Sequence, residues 1–218
     1  MLQGAATSND GSDTDMWAGY EHCSGSANGI TRSLVKFDLS AIPPGTQITQ
    51  ATLSLYLVNS CDTGNRTHTV TPYRITSGWS ETSVTWNTRP SFAEAYGSSS
   101  VSSQTYQRYT FDITNLVRGW VNGTLPNYGV MLRGPESSGD SSARLGFGTR
   151  NSSGTTYDPY INITYAGMAV SEEQVPEIDV VSNPTQCGPT VKDALGMFPD
   201  SSGDNVFGFV EQTVCSPD

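Results

Sequence analysis

The chain has 218 residues, of which 35% are hydrophobic and 15% are charged, and its formal net charge is −10. An acidic balance argues against nucleic acid and anionic membranes as partners, because both attract basic surfaces. No apolar run in the sequence approaches the length of a membrane span, which argues against membrane insertion. A low charge content with many Ser, Thr, Gly and Asn residues is typical of a loop-rich extracellular β protein.

Acidity is concentrated at the C-terminal end of the chain. Residues 1–166 carry ten basic and twelve acidic side chains, a net charge of −2, whereas residues 167–218 carry one lysine and nine acids, a net charge of −8. This shift in composition predicts a near-neutral domain at residues 1–166 and an acidic C-terminal extension at residues 167–218.

The four cysteines fall as two in each part of the chain. None belongs to a CxxC pair, so a zinc site is not predicted. The economical pairing joins Cys23 to Cys61 and Cys187 to Cys215, and it places the protein in an oxidising compartment. The first residues lack the pattern of a signal peptide. We therefore expect either a trimmed chain or export by another route, as for a virion component released by lysis.

The first feature in chain order is a loop rich in side-chain oxygens. Asp10, Asp13 and Asp15 are close together in sequence around a glycine, a composition that suits calcium. The distal Glu of an EF-hand loop is absent, and an ordinary Asx-turn loop is the alternative. Residues 16–20 then predict a short strand.

Residues 32–57 contain the two clearest strand patterns. Val35, Phe37 and Leu39 form one alternating apolar set, and residues 51–57 contain another, with alanine at 51 and leucine at 53, 55 and 57. The Pro-Pro-Gly sequence at 43–45 requires a turn between them. This period of two predicts antiparallel strands with one buried and one wet face.

The middle of the chain predicts a strand over Thr67–Ile75, which is rich in β-branched residues. Pro72 removes a ladder donor, so we expect this strand to lie at an edge or to be bulged. Trp79 and Trp86 follow in a polar segment. We interpret them as core anchors, with ligand stacking by their rings as the alternative.

One helix is predicted after a strand at residues 109–111. Asp112 suits its N-cap and Gly123 suits its end. Its apolar residues recur with helical spacing at Ile113, Leu116, Val117 and Trp120. Three more strands are predicted at residues 129–133, 143–149 and 160–165. In the middle one, Gly146 and Gly148 leave bare backbone on one face, which indicates a bulge or a close approach.

The C-terminal extension predicts one further strand at residues 177–181. Its apolar residues Ile178 and Val180 alternate with acids, so this segment is a candidate assembly strand that fills a gap in its own domain or in a neighbour. The rest of the extension predicts a loop with scattered apolar residues, closed by the disulfide between Cys187 and Cys215.

Several motifs resemble one known family. They are RSLVKFDLS with IPPGTQITQATLSLYL at residues 32–57, WSE at 79–81, TWNTRP at 85–90, YTFDIT at 109–114 and YGV at 128–130. In this order they resemble the DNRLRE-domain family over residues 17–165. The resemblance implies a secreted β-sandwich module for attachment, carbohydrate binding or structure. We predict an all-β, antiparallel jelly-roll-type sandwich with one short helix, plus an acidic, disulfide-stapled extension.

No catalytic constellation is predicted. His22 and His68 are the only imidazoles, and no nucleophile elbow or phosphate-binding glycine loop is present, so we expect a non-catalytic protein. The leading hypothesis is attachment through binding of a polysaccharide, in which aromatic rings stack on sugars and arginines contact uronic acid carboxylates. The candidate residues are Trp17, Tyr20, Arg32, Arg74, Arg144 and Arg150.

The alternative hypothesis is a structural subunit that assembles with copies of itself or another structural protein by exchange of a strand or tail. Under either hypothesis we expect an extracellular, cell-surface or virion location. No cofactor is predicted other than a structural calcium ion.

Overall fold

A computed structural model describes residues 1–21, 29–62, 64–138, 143–166, 195–199 and 205–209. The described residues up to 166 are mostly β, in two antiparallel sheets with one short helix, consistent with a β-sandwich. The chain divides into two compact units, Met1–Ala166 and Gly167–Asp218. Within the described part of the chain, no helix is long and apolar enough to cross a membrane.

The elements follow one another in this order: β1 (Asp15–Glu21), β2 (Gly29–Thr31), β3 (Ser33–Val35), β4 (Ile48–Ser60), β5 (Thr67–Ile75), β6 (Phe92–Ala95), β7 (Ser99–Ser102), β8 (Gln107–Asp112), α1 (Thr114–Val121), β9 (Val130–Arg133), β10 (Arg144–Gly148), β11 (Tyr160–Tyr165), β12 (Leu195–Pro199) and β13 (Asn205–Phe209). A 3-10 turn at Gln3–Ala5 precedes them.

The first sheet has the strand order β11-β4-β10-β1-β2. Along one edge of β4, its first half pairs with β11 and its last residues pair with β10, and β8 pairs along the opposite edge. The second sheet has the order β3-β9-β5-β6, and β7 also pairs with β5. Alternation along the strands turns one set of side chains inward. The fully buried set includes Leu53, Leu55, Leu57, Val70, Leu132, Leu145 and Phe147. Burial of each such side chain contributes about 2 kcal/mol, which makes this core the main source of stability.

The chain crosses from one sheet to the other at Arg32. This single residue separates β2, which pairs with β1 in the first sheet, from β3, which pairs with β9 in the second. At the crossing, the Ser33 hydroxyl donates a hydrogen bond of 2.7 Å to the Trp17 carbonyl oxygen. The crossing therefore joins the two sheets covalently and through a hydrogen bond.

The strand predicted from Val35 to Leu39 is shorter than expected. β3 ends at Val35, and residues 36–39 pair with no described strand, although Phe37 and Leu39 pack against the core. Their apolar alternation reflects one buried face, and a buried face does not require a hydrogen-bonded neighbour.

The expectation of an edge position for the strand containing Pro72 is wrong, because β5 lies between β9 and β6. Proline is tolerated there because β7 pairs with residues 67–70 and β6 with residues 73–75, which leaves Pro72 in the gap between them. The pairing is irregular between Tyr73 and Ile75, so the predicted bulge has a counterpart.

The predicted helix is present but begins at Thr114, with Ile113 in the N-cap position. Asp112 lies one residue earlier, and its Oδ1 accepts hydrogen bonds from the Thr114 amide (2.9 Å) and hydroxyl (2.6 Å). Gly123 follows the helix with a φ of +70°, a conformation that favours glycine and ends the helix as predicted.

Two short strands lie where the extension was predicted to be a loop. β12 and β13 pair antiparallel with each other. The predicted assembly strand with Ile178 and Val180 lies outside the described residues. So do Cys23, Cys187 and Cys215. Cys61 is disulfide-bonded, and its predicted pairing with Cys23 stays a prediction.

Candidate functional site

A cleft lies where the two sheets diverge from each other. From the hydrogen bond between Ser33 and Trp17, β1 runs toward Asp15 beside β10, while β3 runs toward Val35 beside β9. The space between the diverging strands has a volume of about 1130 Å³. We call the Ser33–Trp17 contact the fork, and the space beyond it the cleft.

The cleft walls hold most of the residues that the sequence predicted for ligand binding. These are Trp17, Arg32, Arg144 and Arg150, together with the predicted calcium ligands Asp10, Asp13 and Asp15. Tyr20 and Arg74 do not line it. Another part of the wall is apolar, with Phe37, Leu39, Ile42, Trp120 and Val121. The fold thus brings residues from distant parts of the sequence to one cleft.

The four arginines predicted to contact sugar carboxylates already contact carboxylates of the chain itself. Each guanidinium charge is therefore compensated, and the arginines form ion pairs in place of an open basic surface. The pairs are Arg32 with Glu136, Arg74 with Glu94, Arg144 with Glu21 and Arg150 with Glu81.

Arg32 belongs to a partly buried cluster beside the crossing between the sheets. Its Nε and Nη2 donate to the two oxygens of Glu136 at 2.8 and 3.0 Å, and Arg133 donates to the same carboxylate. Burial raises the pKa of Glu136, but hydrogen bonds from Arg133 and Arg32 outweigh it and lower the pKa to about 2. This geometry makes Arg32 a positioning residue at the crossing.

Trp17 points away from the core, on the outer face of the first sheet. It pairs with Gly146 of β10, and a Cβ added to that glycine would lie 3.0 Å from the indole ring. The Arg144 guanidinium carbon lies 3.9 Å from the ring centroid. Burial lowers the pKa of Arg144, and Glu21 opposes this effect. The bare backbone of Gly146 thus lets the indole lie close to the sheet.

More aromatic residues continue across the same outer face. Tyr157 lies on Gly148, two residues beyond Gly146, and a Cβ added there would lie 2.6 Å from the Tyr157 Cβ. The ring centroids of Tyr157 and Tyr56 are 5.0 Å apart. The bare backbone predicted at the two glycines is therefore covered by aromatic residues of the chain itself.

Arg108 links this group to Tyr160, which is 40% exposed. Its guanidinium carbon lies 5.2 Å from the Tyr56 centroid and 4.7 Å from the Tyr160 centroid. Its nitrogens donate to the carbonyl oxygens of Thr156 and Asp158. We call Trp17, Tyr157, Tyr56 and Tyr160, with Arg108 between the last two, the aromatic row.

Of the aromatic row, Trp17 alone was predicted from the sequence to bind a ligand. A signal for Tyr56 and Tyr160 was present, because both alternate with apolar residues that were predicted to face the core. Tyr157 lies in a loop without periodicity, so no sequence signal placed it on the sheet. Trp79 is partly buried and lines the cleft, and its indole N–H donates to the Tyr128 carbonyl oxygen at 2.8 Å.

The predicted calcium ligands do not converge on one point. No group of three or more His, Cys, Asp or Glu side chains that could hold a metal occurs among the described residues. Asp10 pairs with the amino group of Met1 at 3.1 Å. The Asp13 carbonyl oxygen accepts a hydrogen bond from Thr149, which ties the loop to the chain after β10.

The model of carbohydrate-binding module family 96 matches residues 2–165. No curated protein matches the chain. The expectation of a carbohydrate-binding-module-like domain is confirmed, while the narrower DNRLRE name stays a prediction from the motifs. An outer sheet face that presents aromatic rings agrees with this result, and the match covers most of the sequence. The chain belongs to carbohydrate-binding module family 96.

Proposed function

We propose that the aromatic row is the surface on which this module binds a polysaccharide chain. The observation that carries the proposal is the arrangement of aromatic side chains along one outer sheet face, two of them packed on bare glycine backbone. Such rings offer flat apolar faces to the C–H faces of sugars, and tyrosine hydroxyls supply hydrogen bonds to sugar hydroxyls. Binding to an extended chain then needs no deep pocket.

Stacking contributes more than charge to this proposed binding. Arg108 is the one cation of the row, and no ion pair to a carboxylate is found for it in the described part of the chain. Its hydrogen bonds to two carbonyl oxygens hold the guanidinium between Tyr56 and Tyr160. An acidic polysaccharide gains one ion pair there, which salt screens over about 10 Å at 0.1 M.

The experiment compares two tyrosines of the same strand. Tyr160 is 40% exposed and belongs to the row, whereas Tyr165 is 39% exposed and lies at the other end of β11. In affinity electrophoresis through gels that contain a neutral glucan or a polyuronate, Tyr160→Ala should weaken binding roughly tenfold, the loss of about one stacking contact. Tyr165→Ala should leave binding unchanged.

Equal weakening by the two substitutions would contradict the proposed site, and so would a Tyr160→Ala variant that binds like the unaltered protein. A salt series separates the two ligand classes. Binding of the neutral glucan should not depend on salt, whereas binding of the polyuronate should weaken modestly, because a single ion pair is screened.

The wider role that we propose is non-catalytic attachment of an extracellular, cell-surface or virion protein to polysaccharide. Carbohydrate-binding modules are typically non-catalytic, which supports the first part of this proposal. Assembly by tail exchange remains the alternative, and light scattering tests it. A mass that rises with protein concentration is expected for assembly, and a constant monomer mass contradicts it.

A further inference from the structure

We propose that the apolar part of the cleft binds an extended polypeptide segment, apolar at alternate positions and basic on its outer face, as an added strand beside β3. The proposal does not rest on polysaccharide binding, although Trp17 belongs both to the aromatic row and to the wall of the cleft. It rests on a free strand edge, an apolar wall with an unsatisfied donor, and the charge of the cleft.

The free edge continues from β3 into residues 36–39. Exposure alternates through these residues as it does in an extended strand. The Asn127 side chain donates to the Phe37 carbonyl oxygen at 2.9 Å from the chain segment that leads into β9. Successive residues of a strand direct their backbone groups to opposite edges, so Leu34, Lys36 and Asp38 direct theirs away from β9. Those three residues line the cleft.

An added strand would give these backbone groups partners. β3 pairs with β9 alone among the described strands. At one end of this edge, beside the fork, Met1 pairs with the backbone of Arg32, and beyond it no described strand pairs with Leu34, Lys36 or Asp38. Strand addition to such an edge is a common mode of peptide recognition, in which main-chain hydrogen bonds give affinity and side-chain pockets give selectivity.

The apolar wall suits the inward side chains of such a segment. Phe37, Leu39 and Ile42 are partly buried and pack against the core while they line the cleft. Trp120 also lines it, is 8% exposed, and has an indole N–H with no hydrogen-bond partner within the described structure. An unpaired buried donor costs about 1–3 kcal/mol, and a peptide carbonyl oxygen is a suitable acceptor.

The charge of the cleft selects a basic segment. Asp13, Asp15 and Asp38 line the cleft and have no ion-pair partner among the residues that the structure describes. Among the cationic side chains that line the cleft, Lys36 alone has no ion-pair partner within the described residues, because Arg32, Arg144 and Arg150 are paired. The excess of carboxylates favours lysine or arginine on the outer face of the bound segment and disfavours acidic segments.

The test uses the full chain and a fluorescent peptide of about eight residues in which valine or isoleucine alternates with lysine or threonine. Three control peptides each alter one feature. One has glutamate in place of lysine, one has a scrambled order, and one is N-methylated at alternate amides. Anisotropy should show binding of the first peptide and about tenfold weaker binding of each control, a loss of one or two hydrogen bonds or ion pairs.

Two protein variants locate the peptide. Lys36→Pro removes a backbone donor from the open edge and should weaken peptide binding about tenfold without effect on polysaccharide binding. Tyr160→Ala, on the outer face, should do the opposite. In an NMR spectrum of the indole N–H groups, the Trp120 signal should move downfield when the peptide binds, a readout that does not depend on the Lys36→Pro variant folding.

Several results would overturn the proposal. They are equal binding of the matched and scrambled peptides, no binding of the matched peptide at millimolar concentration, and an unmoved Trp120 signal. Displacement of the peptide by a neutral oligosaccharide would assign the cleft to sugar instead. Binding that survives N-methylation would exclude strand addition.

Discussion

The ion cluster at the crossing between the sheets predicts a pH-dependent contribution to stability. Replacement of Glu136 by Gln keeps the shape of the side chain and removes its charge, which leaves Arg32 and Arg133 without their shared carboxylate. The pKa of Glu136 falls from 4.5 to about 2 in the folded protein, and its side chain is 15% exposed. This difference corresponds to about 3 kcal/mol of folding free energy at pH 7.

The sign follows from the lowered pKa. A carboxyl group whose pKa is depressed by folding stabilises the folded state fully above its ordinary pKa of 4.5, and that contribution is lost as the pH falls toward 2. Urea denaturation should show Glu136→Gln to be less stable than the unaltered protein by about 3 kcal/mol at pH 7 and by less than about 0.5 kcal/mol at pH 2.

A matched control is available in the second sheet. Glu94 pairs with Arg74 at 2.8 Å, but its side chain is 61% exposed. Glu94→Gln should therefore cost much less than Glu136→Gln does, because solvent screens an exposed ion pair. Equal losses of stability for the two substitutions at pH 7, or a deficit of Glu136→Gln that persists unchanged at pH 2, would refute the stabilising role of the Glu136 charge.

Three further predictions concern the row, a strained residue and the disulfide. Gly146→Ala places a Cβ 3.0 Å from the indole ring and should cost about 1–2 kcal/mol and weaken polysaccharide binding, whereas Gly78→Ala, with its nearest contact at 3.9 Å, should do neither. Unchanged binding by Gly146→Ala would count against the row. Tyr106 has a φ of 65°, so thermal denaturation should show Tyr106→Gly to be more stable than Tyr106→Ala by about 1 kcal/mol, and equal stability would contradict this. Peptide mapping without reduction should recover Cys61 bonded to Cys23, and a bond to a cysteine of the extension would contradict the division of the chain at residue 166.

Long alternating segments made most of the fold predictable. The alternation of residues 51–57 located β4, and residues 160–165 located β11 with the predicted bounds. The strands β2, β6 and β7 were missed because three or four residues contain too little alternation to stand out. They exist because neighbouring strands supply their hydrogen bonds.

The candidate site was predictable only in part, for a different reason. Residue type suggested stacking for Trp17, whereas the alternation around Tyr56 contained a signal for an outer face that was not used. The state of the arginines depends on partners remote in sequence, since Arg32 and Glu136 are 104 residues apart and Arg144 and Glu21 are 123 residues apart. An arginine that the sequence suggests for binding a sugar carboxylate is therefore already paired with a carboxylate of the folded chain.

The position of β10 between β4 and β1 determines when the first sheet can be completed during synthesis. β1 emerges early, but the strand that joins it to β4 is close to the end of the first unit. Pairing of such distant segments is slow, because the chain must close a long loop before any contact stabilises it. We expect Trp17 to stay exposed until β10 inserts, so that the proposed polysaccharide surface appears in the last step of folding and chains stalled before residue 144 are prone to aggregate.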